Sequence, residues 1–124
     1  RFTTGETNTQ SEKTMGYTVM AARLAVTNGT DNFSNAIGMG GGNAVQVDAV
    51  CFNLGGATSY TIEVQGSNDG ANWSVVTANS GLVLGYSAPT KSTGVGFSMI
   101  RYRYSVSAGA GTIIIYAGCN ISHQ

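Results

Sequence analysis

The stretch YTIEVQGSNDGANWSVV, residues 60–76, carries the clearest pattern in the 124-residue sequence. Tyr60, Ile62 and Val64 alternate with polar residues, the period of two that marks a strand with one buried face. Ser-Asn-Asp-Gly follows, and Asn, Asp and Gly are the residues that tight turns between strands require. The stretch therefore predicts a β-hairpin, and we interpret Asp69 as a turn residue rather than a metal ligand.

Similar alternation recurs from Tyr17 to the end of the chain, and turns rich in the 18 glycines separate the apolar segments. About seven or eight strands are expected, and no helical periodicity competes with them. This spacing predicts an all-β fold, a single-domain antiparallel β-sandwich or jelly roll over residues 16–124. Residues 1–15 are polar and aperiodic, so they are expected to form a flexible N-terminal arm, either a disordered tail or an assembly strap.

One strand changes phase in its apolar pattern. Val45 and Val47 share one parity, whereas Val50 and Phe52 share the other. Because a shift of one residue moves every side chain to the opposite face, the strand either contains a β-bulge or is buried on both faces. We predict the bulge, at residues 48–49.

The last two apolar segments, MIRYRYSVSAGAGTIIIYAGCNIS, predict a closing hairpin. Ile114 and Tyr116 make the second face of the last strand apolar, which indicates a central strand or a subunit contact. Arg101 and Arg103 share one face of the preceding strand. They are expected to face solvent or an interface and to pair with acids such as Glu63; the alternative is a clamp for a carboxylate or a sugar acid.

The two cysteines, Cys51 and Cys119, are 68 positions apart, which matches no zinc-binding spacing. They form either one disulfide or two buried thiols, and their apolar surroundings favour the thiols. The carboxylates are scattered and the single histidine, His123, is next to the last residue. We therefore predict that the chain is not an enzyme and has no catalytic residue, cofactor or metal.

The charge composition limits the classes of partner that the chain is expected to bind. Only 10% of the residues are charged and the formal net charge is zero, against about 25% charged residues in ordinary soluble proteins. Nucleic-acid binding needs clustered Lys and Arg, so no nucleic-acid partner is expected. No apolar run is long enough for a membrane span, so no membrane partner is expected either. Low surface charge promotes association, which predicts a homo-oligomer or a protein lattice as partner.

The hairpin at residues 60–76 resembles that of the discoidin-like domains, strand, then S-N-D-G-x-x-W, then strand. It also resembles hairpins of small β-sandwich proteins in the virions of tailed bacteriophages, and residues 99–122 are similar to the last hairpin of those proteins. The discoidin resemblance implies ligand binding by loops at one end of the fold. The phage resemblance implies a capsid decoration (cementing) protein or another virion structural protein.

Together these observations predict a non-enzymatic virion subunit that acts through subunit contacts. Its expected contact residues are Phe2, Tyr104, Ile114, Tyr116, Arg101 and Arg103, because aromatic and arginine side chains dominate interface energetics. The alternatives are a carbohydrate- or cell-surface-binding module, which would be secreted or at the cell surface, and a self-assembling extracellular fibre subunit.

Overall fold

The computed structural model describes residues 16–30, 32–87, 91–109 and 111–124, and these residues form nine strands and no helix. The strands are β1 (Gly16–Thr27), β2 (Asn32–Phe33), β3 (Ile37–Gly38), β4 (Ala44–Asn53), β5 (Ala57–Ser67), β6 (Ser74–Leu82), β7 (Gly85–Ser87), β8 (Met99–Gly109) and β9 (Thr112–Ser122). The predicted all-β class is confirmed. Phe2 and the predicted arm, residues 1–15, lie outside the described residues, so the arm stays a prediction.

Two antiparallel sheets pack face to face as a single-domain β-sandwich. The first sheet has the strand order β1-β9-β4-β7. The second has the order β2-β8-β5-β6, and β3 also pairs with β8. The hairpin predicted from residues 60–76 is present as β5 and β6.

The core lies between the sheets and receives every second side chain of the long strands, as the alternation predicts. The largest fully buried side chains are Val26, Met39, Val45, Tyr60, Ile62, Val64, Ile100, Tyr102, Tyr104, Ile113, Ile115 and Cys119. Both cysteines are buried free thiols, in agreement with the favoured interpretation. Burial raises the pKa of the Cys119 thiol to about 11, which keeps it protonated and unreactive at neutral pH.

The predicted closing hairpin is wrong. β8 and β9 follow each other in sequence, but β8 pairs with β5 in the second sheet and β9 lies between β1 and β4 in the first. The connection between them therefore crosses from one sheet to the other. At its end Gly111 has a φ of +120°, and a Cβ there would lie 2.8 Å from the Gly56 backbone nitrogen. The alternation shows that each strand has a buried face, but it does not identify the strand that pairs with it.

The predicted bulge at residues 48–49 is also wrong. Val47, Ala49 and Cys51 are all buried, and the pairing of β4 with β9 is regular up to Cys51. The register shift lies between Cys51 and Asn53. Val50 and Phe52 suggested a phase change because they are apolar, but Val50 belongs to the outer face of the regularly paired part of the strand, and Phe52 lies at the register shift.

The buried tyrosines predict opposite effects of one substitution. Among the described residues the Tyr60 hydroxyl is buried without a hydrogen-bond partner, whereas the Tyr102 hydroxyl donates to the Gly118 carbonyl at 2.9 Å. A buried polar group without a partner costs about 1–3 kcal/mol, and a made hydrogen bond contributes about 1 kcal/mol.

We therefore expect Tyr60→Phe to raise the free energy of unfolding and Tyr102→Phe to lower it, each by about 1 kcal/mol. Urea denaturation of the two variants measures both changes against the parent chain. A loss of stability in Tyr60→Phe would contradict an unpartnered Tyr60 hydroxyl.

Candidate functional site

The outer face of the first sheet is rich in exposed aromatic and aliphatic side chains. Pairing places Tyr86 of β7, Val50 of β4 and Tyr116 of β9 in one row across the sheet. Tyr86 is 68% exposed, and Tyr17 of β1 is 50% exposed. We call this surface the tyrosine face, and its members are Tyr17, Val19, Val50, Phe52, Tyr86, Ile114 and Tyr116.

Two tyrosines of this face are joined above a glycine. Tyr17 is opposite Asn120 in the pairing of β1 with β9, and the hydroxyl oxygens of Tyr17 and Tyr116 are 2.6 Å apart. A Cβ on Gly118 would collide with the Tyr17 ring, so the absence of a side chain lets the ring lie directly against the sheet. Partial burial and the hydrogen bond with Tyr116 raise the pKa of Tyr17 well above its ordinary value. The Tyr17 phenol is therefore a neutral hydrogen-bonding group.

The charged residues of this face contact its aromatic rings. The Tyr86 hydroxyl donates to Asp48 Oδ1 at 3.4 Å, and the charge of Asp48 raises the pKa of Tyr86. The Arg23 guanidinium carbon lies 4.4 Å from the centroid of the Phe52 ring, although β9 separates their two strands. The face therefore combines large, rigid aromatic rings with polar or charged groups next to them. This composition is typical of protein contact surfaces.

The area of the tyrosine face limits what it can bind alone. β1, β4 and β9 have 12, 10 and 11 residues. With a rise of about 3.3 Å per residue and about 4.8 Å between strands, these three strands and the short β7 cover on the order of 500 Å². A stable protein complex usually buries about 800 Å² on each partner. One copy of this face is therefore suited to a weak contact.

The outer face of the second sheet holds an arginine between two aromatic rings. The Arg101 guanidinium carbon lies 4.3 Å from the Phe33 ring centroid and 4.2 Å from the Trp73 ring centroid. Phe33 belongs to β2, beside β8, while Trp73 directly precedes β6 at the other edge of the sheet. The stack thus connects segments from the two opposite edges of the sheet.

A row of polar side chains continues from this stack. Arg101 Nε donates to Gln65 Oε1 at 2.7 Å, and Gln65 Nε2 donates to Glu63 Oε1 at 2.7 Å. Arg103 Nη1 lies 3.6 Å from the same Glu63 oxygen. The predicted pairing of an arginine with Glu63 is therefore confirmed for Arg103.

The structure places the predicted contact residues in three different settings. Ile114 and Tyr116 are half-buried on the outer face of the first sheet, and Arg101 and Arg103 are half-buried on the outer face of the second. Tyr104 is only 1% exposed. Its prediction as a contact residue is corrected, because the inward parity of β8 places its side chain in the core. The interface roles of the others stay predictions.

The Ser-Asn-Asp-Gly segment is a self-bonded turn. Asp69 Oδ1 accepts from the backbone nitrogens of Ala71 and Asn72, each at 2.8 Å, and its Oδ2 accepts from Asn72 Nδ2 at 2.6 Å. These hydrogen bonds, first those from the Asn72 and Ala71 backbone, hold the pKa of Asp69 well below its ordinary range. Gly70 has a φ of +77°. The turn interpretation of Asp69 is confirmed.

Two shallow clefts lie at the margins of the sandwich. One of about 300 Å³ is lined by β1 between Met20 and Leu24 and by Phe33, and one of about 380 Å³ is lined by Met39, neighbouring glycines and Phe97. Over the described ranges, no three His, Cys, Asp or Glu side chains are close enough to hold a metal ion. Those same ranges contain no helical segment that could span a bilayer.

Comparison with known proteins places the fold near those of phage proteins. No protein-family model matches the sequence, and no curated protein matches it significantly. The SPBc2 prophage-derived protein YomS superposes with a TM-score of 0.55 and 10% identity, over 86% of this chain and 91% of YomS. The PBSX exported protein XepA superposes with a TM-score of 0.68 and 12% identity, over 100% of this chain and 41% of XepA, so the chain spans about two fifths of XepA. The chain thus shares its fold with phage- and prophage-derived proteins.

Proposed function

We propose that the chain is a non-enzymatic structural protein of a phage particle, with capsid decoration as its specific role. The observation that carries the proposal is the tyrosine face, a surface rich in exposed aromatic and aliphatic groups on the outer side of a sheet. The similarity of the fold to prophage-derived YomS supports the phage setting. The proposed place of the chain is therefore the virion, and its partners are a capsid lattice and other copies of itself.

The size of the tyrosine face favours action in many copies. A contact on the order of 500 Å² on each partner lies below the usual range for a stable pair. When several such contacts are linked in one assembly, each further contact forms at a high effective concentration and the total affinity rises by orders of magnitude. A homo-oligomer on a repeating lattice gives a weak face this advantage.

A carbohydrate-binding module is the second candidate, and one observation favours it. The exposed Tyr86 ring lies beside the Asp48 carboxylate, so a sugar ring could stack on the tyrosine while its hydroxyls donate to the acid. A glycan array separates the two candidates. Specific binding of one sugar by the isolated monomer, lost in Tyr86→Ala, would favour the module over the structural subunit.

Particles of the phage that encodes the chain test the structural proposal directly. We expect quantitative mass spectrometry of gradient-purified particles to find the chain in a copy number comparable to that of the coat protein. Gold-labelled antibody against the chain should mark the head. Label on the tail would replace decoration with another virion role, and absence of the chain from washed particles would refute the proposal.

A further inference from the structure

We propose that the Arg101 stack is a second binding site, which takes an aspartate or glutamate side chain of a partner protein. The stack consists of Arg101 between Phe33 and Trp73 on the outer face of the second sheet. The inference goes beyond the proposed function, because that function is carried by the tyrosine face on the opposite sheet.

The charge of Arg101 has no carboxylate partner among the described residues. Arg103 lies near Glu63, whereas Arg101 donates to the neutral amide oxygen of Gln65. The positive charge of Arg101 is therefore not neutralised by any described carboxylate. A half-buried cation without a counter-ion favours an anionic partner, because electrostatic complementarity selects the partner that neutralises it.

The geometry leaves the edge of the Arg101 guanidinium that carries the two Nη groups open to a carboxylate. A guanidinium has five N–H donors in one plane. The Phe33 and Trp73 ring centroids lie 4.3 and 4.2 Å from the guanidinium carbon, and the Nε–H donates to Gln65 at 2.7 Å. No described residue accepts a hydrogen bond from the two Nη groups of Arg101. These groups form the fork that binds both oxygens of a carboxylate.

The stack also fixes the arginine before any partner binds. A free arginine side chain loses rotamer entropy when it is immobilised at an interface. Phe33, Trp73 and Gln65 each hold the Arg101 group by stacking or by a hydrogen bond. Much of the ordering cost is therefore met in the free protein, which favours a tighter contact.

The surroundings of the stack favour a protein side chain over a sugar acid. A sugar acid presents several hydroxyls besides its carboxylate, and its sites supply several free polar groups in a concave surface. Here Gln65, Glu63 and Arg103 are already engaged with one another, on the face of a sheet. Arginine and tryptophan are, in addition, the residues most enriched at the energetic centres of protein interfaces.

Trp73 is the only tryptophan of the chain, so its fluorescence and its indole N–H signal report on this site alone. We expect acetyl-Gly-Glu-Gly-amide to shift both signals in a saturable way and acetyl-Gly-Gln-Gly-amide to leave them unchanged. Arg101→Gln should lower the affinity for the glutamate peptide about tenfold or more. Arg101→Lys should weaken it similarly, because lysine keeps the charge but lacks the planar fork.

Arg23→Gln is the matched control, because Arg23 also stacks on a ring but lies on the tyrosine face. It removes the same charge and should leave peptide binding unchanged. Three results would overturn the proposal: no saturation, an equal response to the glutamine peptide, or tighter binding of methyl glucuronide than of the glutamate peptide. The titration uses no phage particle, so its failure is distinct from failure of the proposed function.

Discussion

Replacing Val50 by aspartate should reduce attachment of the chain to phage particles by at least about 100-fold, which corresponds to about 2.7 kcal/mol. Val50 lies in the centre of the tyrosine face, paired with Tyr86 on one side and Tyr116 on the other. A carboxylate there would lose water on contact beside the rings of Tyr86 and Tyr116, with the Asp48 carboxylate on the same face. Burial of an unpaired charge costs several kcal/mol. The measurement is binding of recombinant chain to particles from a phage that lacks its gene.

Val83→Asp provides the matched control for this experiment. Val83 is half exposed, at 50%, and lies between β6 and β7 outside the tyrosine face. It introduces the same side chain and charge, and attachment should stay within about twofold of the parent chain, since exposed substitutions usually cost less than about 0.5 kcal/mol. Tyr86→Ala removes an exposed ring without adding charge and should give an intermediate loss. Normal attachment of a folded Val50→Asp chain would exclude the tyrosine face as the contact surface.

The strands could be predicted because their signal is local. Alternation within a strand follows from the geometry of the backbone, so residues 60–76 alone predict the inward side chains of β5 and the turn after it. Pairing between strands is not local. The sequences of β8 and β9 contain the same alternation whether they form a hairpin or belong to two sheets, and only the packing of the whole sandwich decides.

The candidate site could be predicted only in part, for the same reason. Tyr116 was identified because it breaks the alternation of an otherwise one-sided strand. Tyr17 and Tyr86 do not interrupt the alternation of their strands. They come close to Tyr116 only through the pairing of β1, β4, β7 and β9. Phe33 lies in β2, a strand of only two residues with no alternation of its own, and its pairing opposite Arg103 brings it to the stack. Parity was the missed signal for Tyr104, since it shares the inward parity of Ile100 on β8.

Gly66→Ala should lower the free energy of unfolding by about 2 kcal/mol. Gly66 lies in β5 between Ile100 and Ser74 of the neighbouring strands, and a Cβ there would overlap the Phe97 ring and lie 2.9 Å from the Phe97 Cβ. Because the clash reaches the Cβ, rotation of the ring cannot relieve it. Forced repacking of this kind costs about 1–3 kcal/mol, which exceeds the gain of about 0.5–1 kcal/mol from removing a strand glycine.

The opposite result at Gly38 would isolate the clash as the cause. Gly38, in β3, has no positive φ and no atom within 4 Å of a Cβ, so Gly38→Ala should be neutral or stabilise by about 0.5 kcal/mol. Urea denaturation measures both midpoints, and unchanged m-values would assign the shifts to stability. The double variant Gly66→Ala/Phe97→Ala lacks the overlapping ring. Its loss of stability should therefore be smaller than the sum of the losses in Gly66→Ala and Phe97→Ala alone. Strict additivity of the two losses, or equal stability of Gly66→Ala and Gly38→Ala, would show that Phe97 does not pack on Gly66.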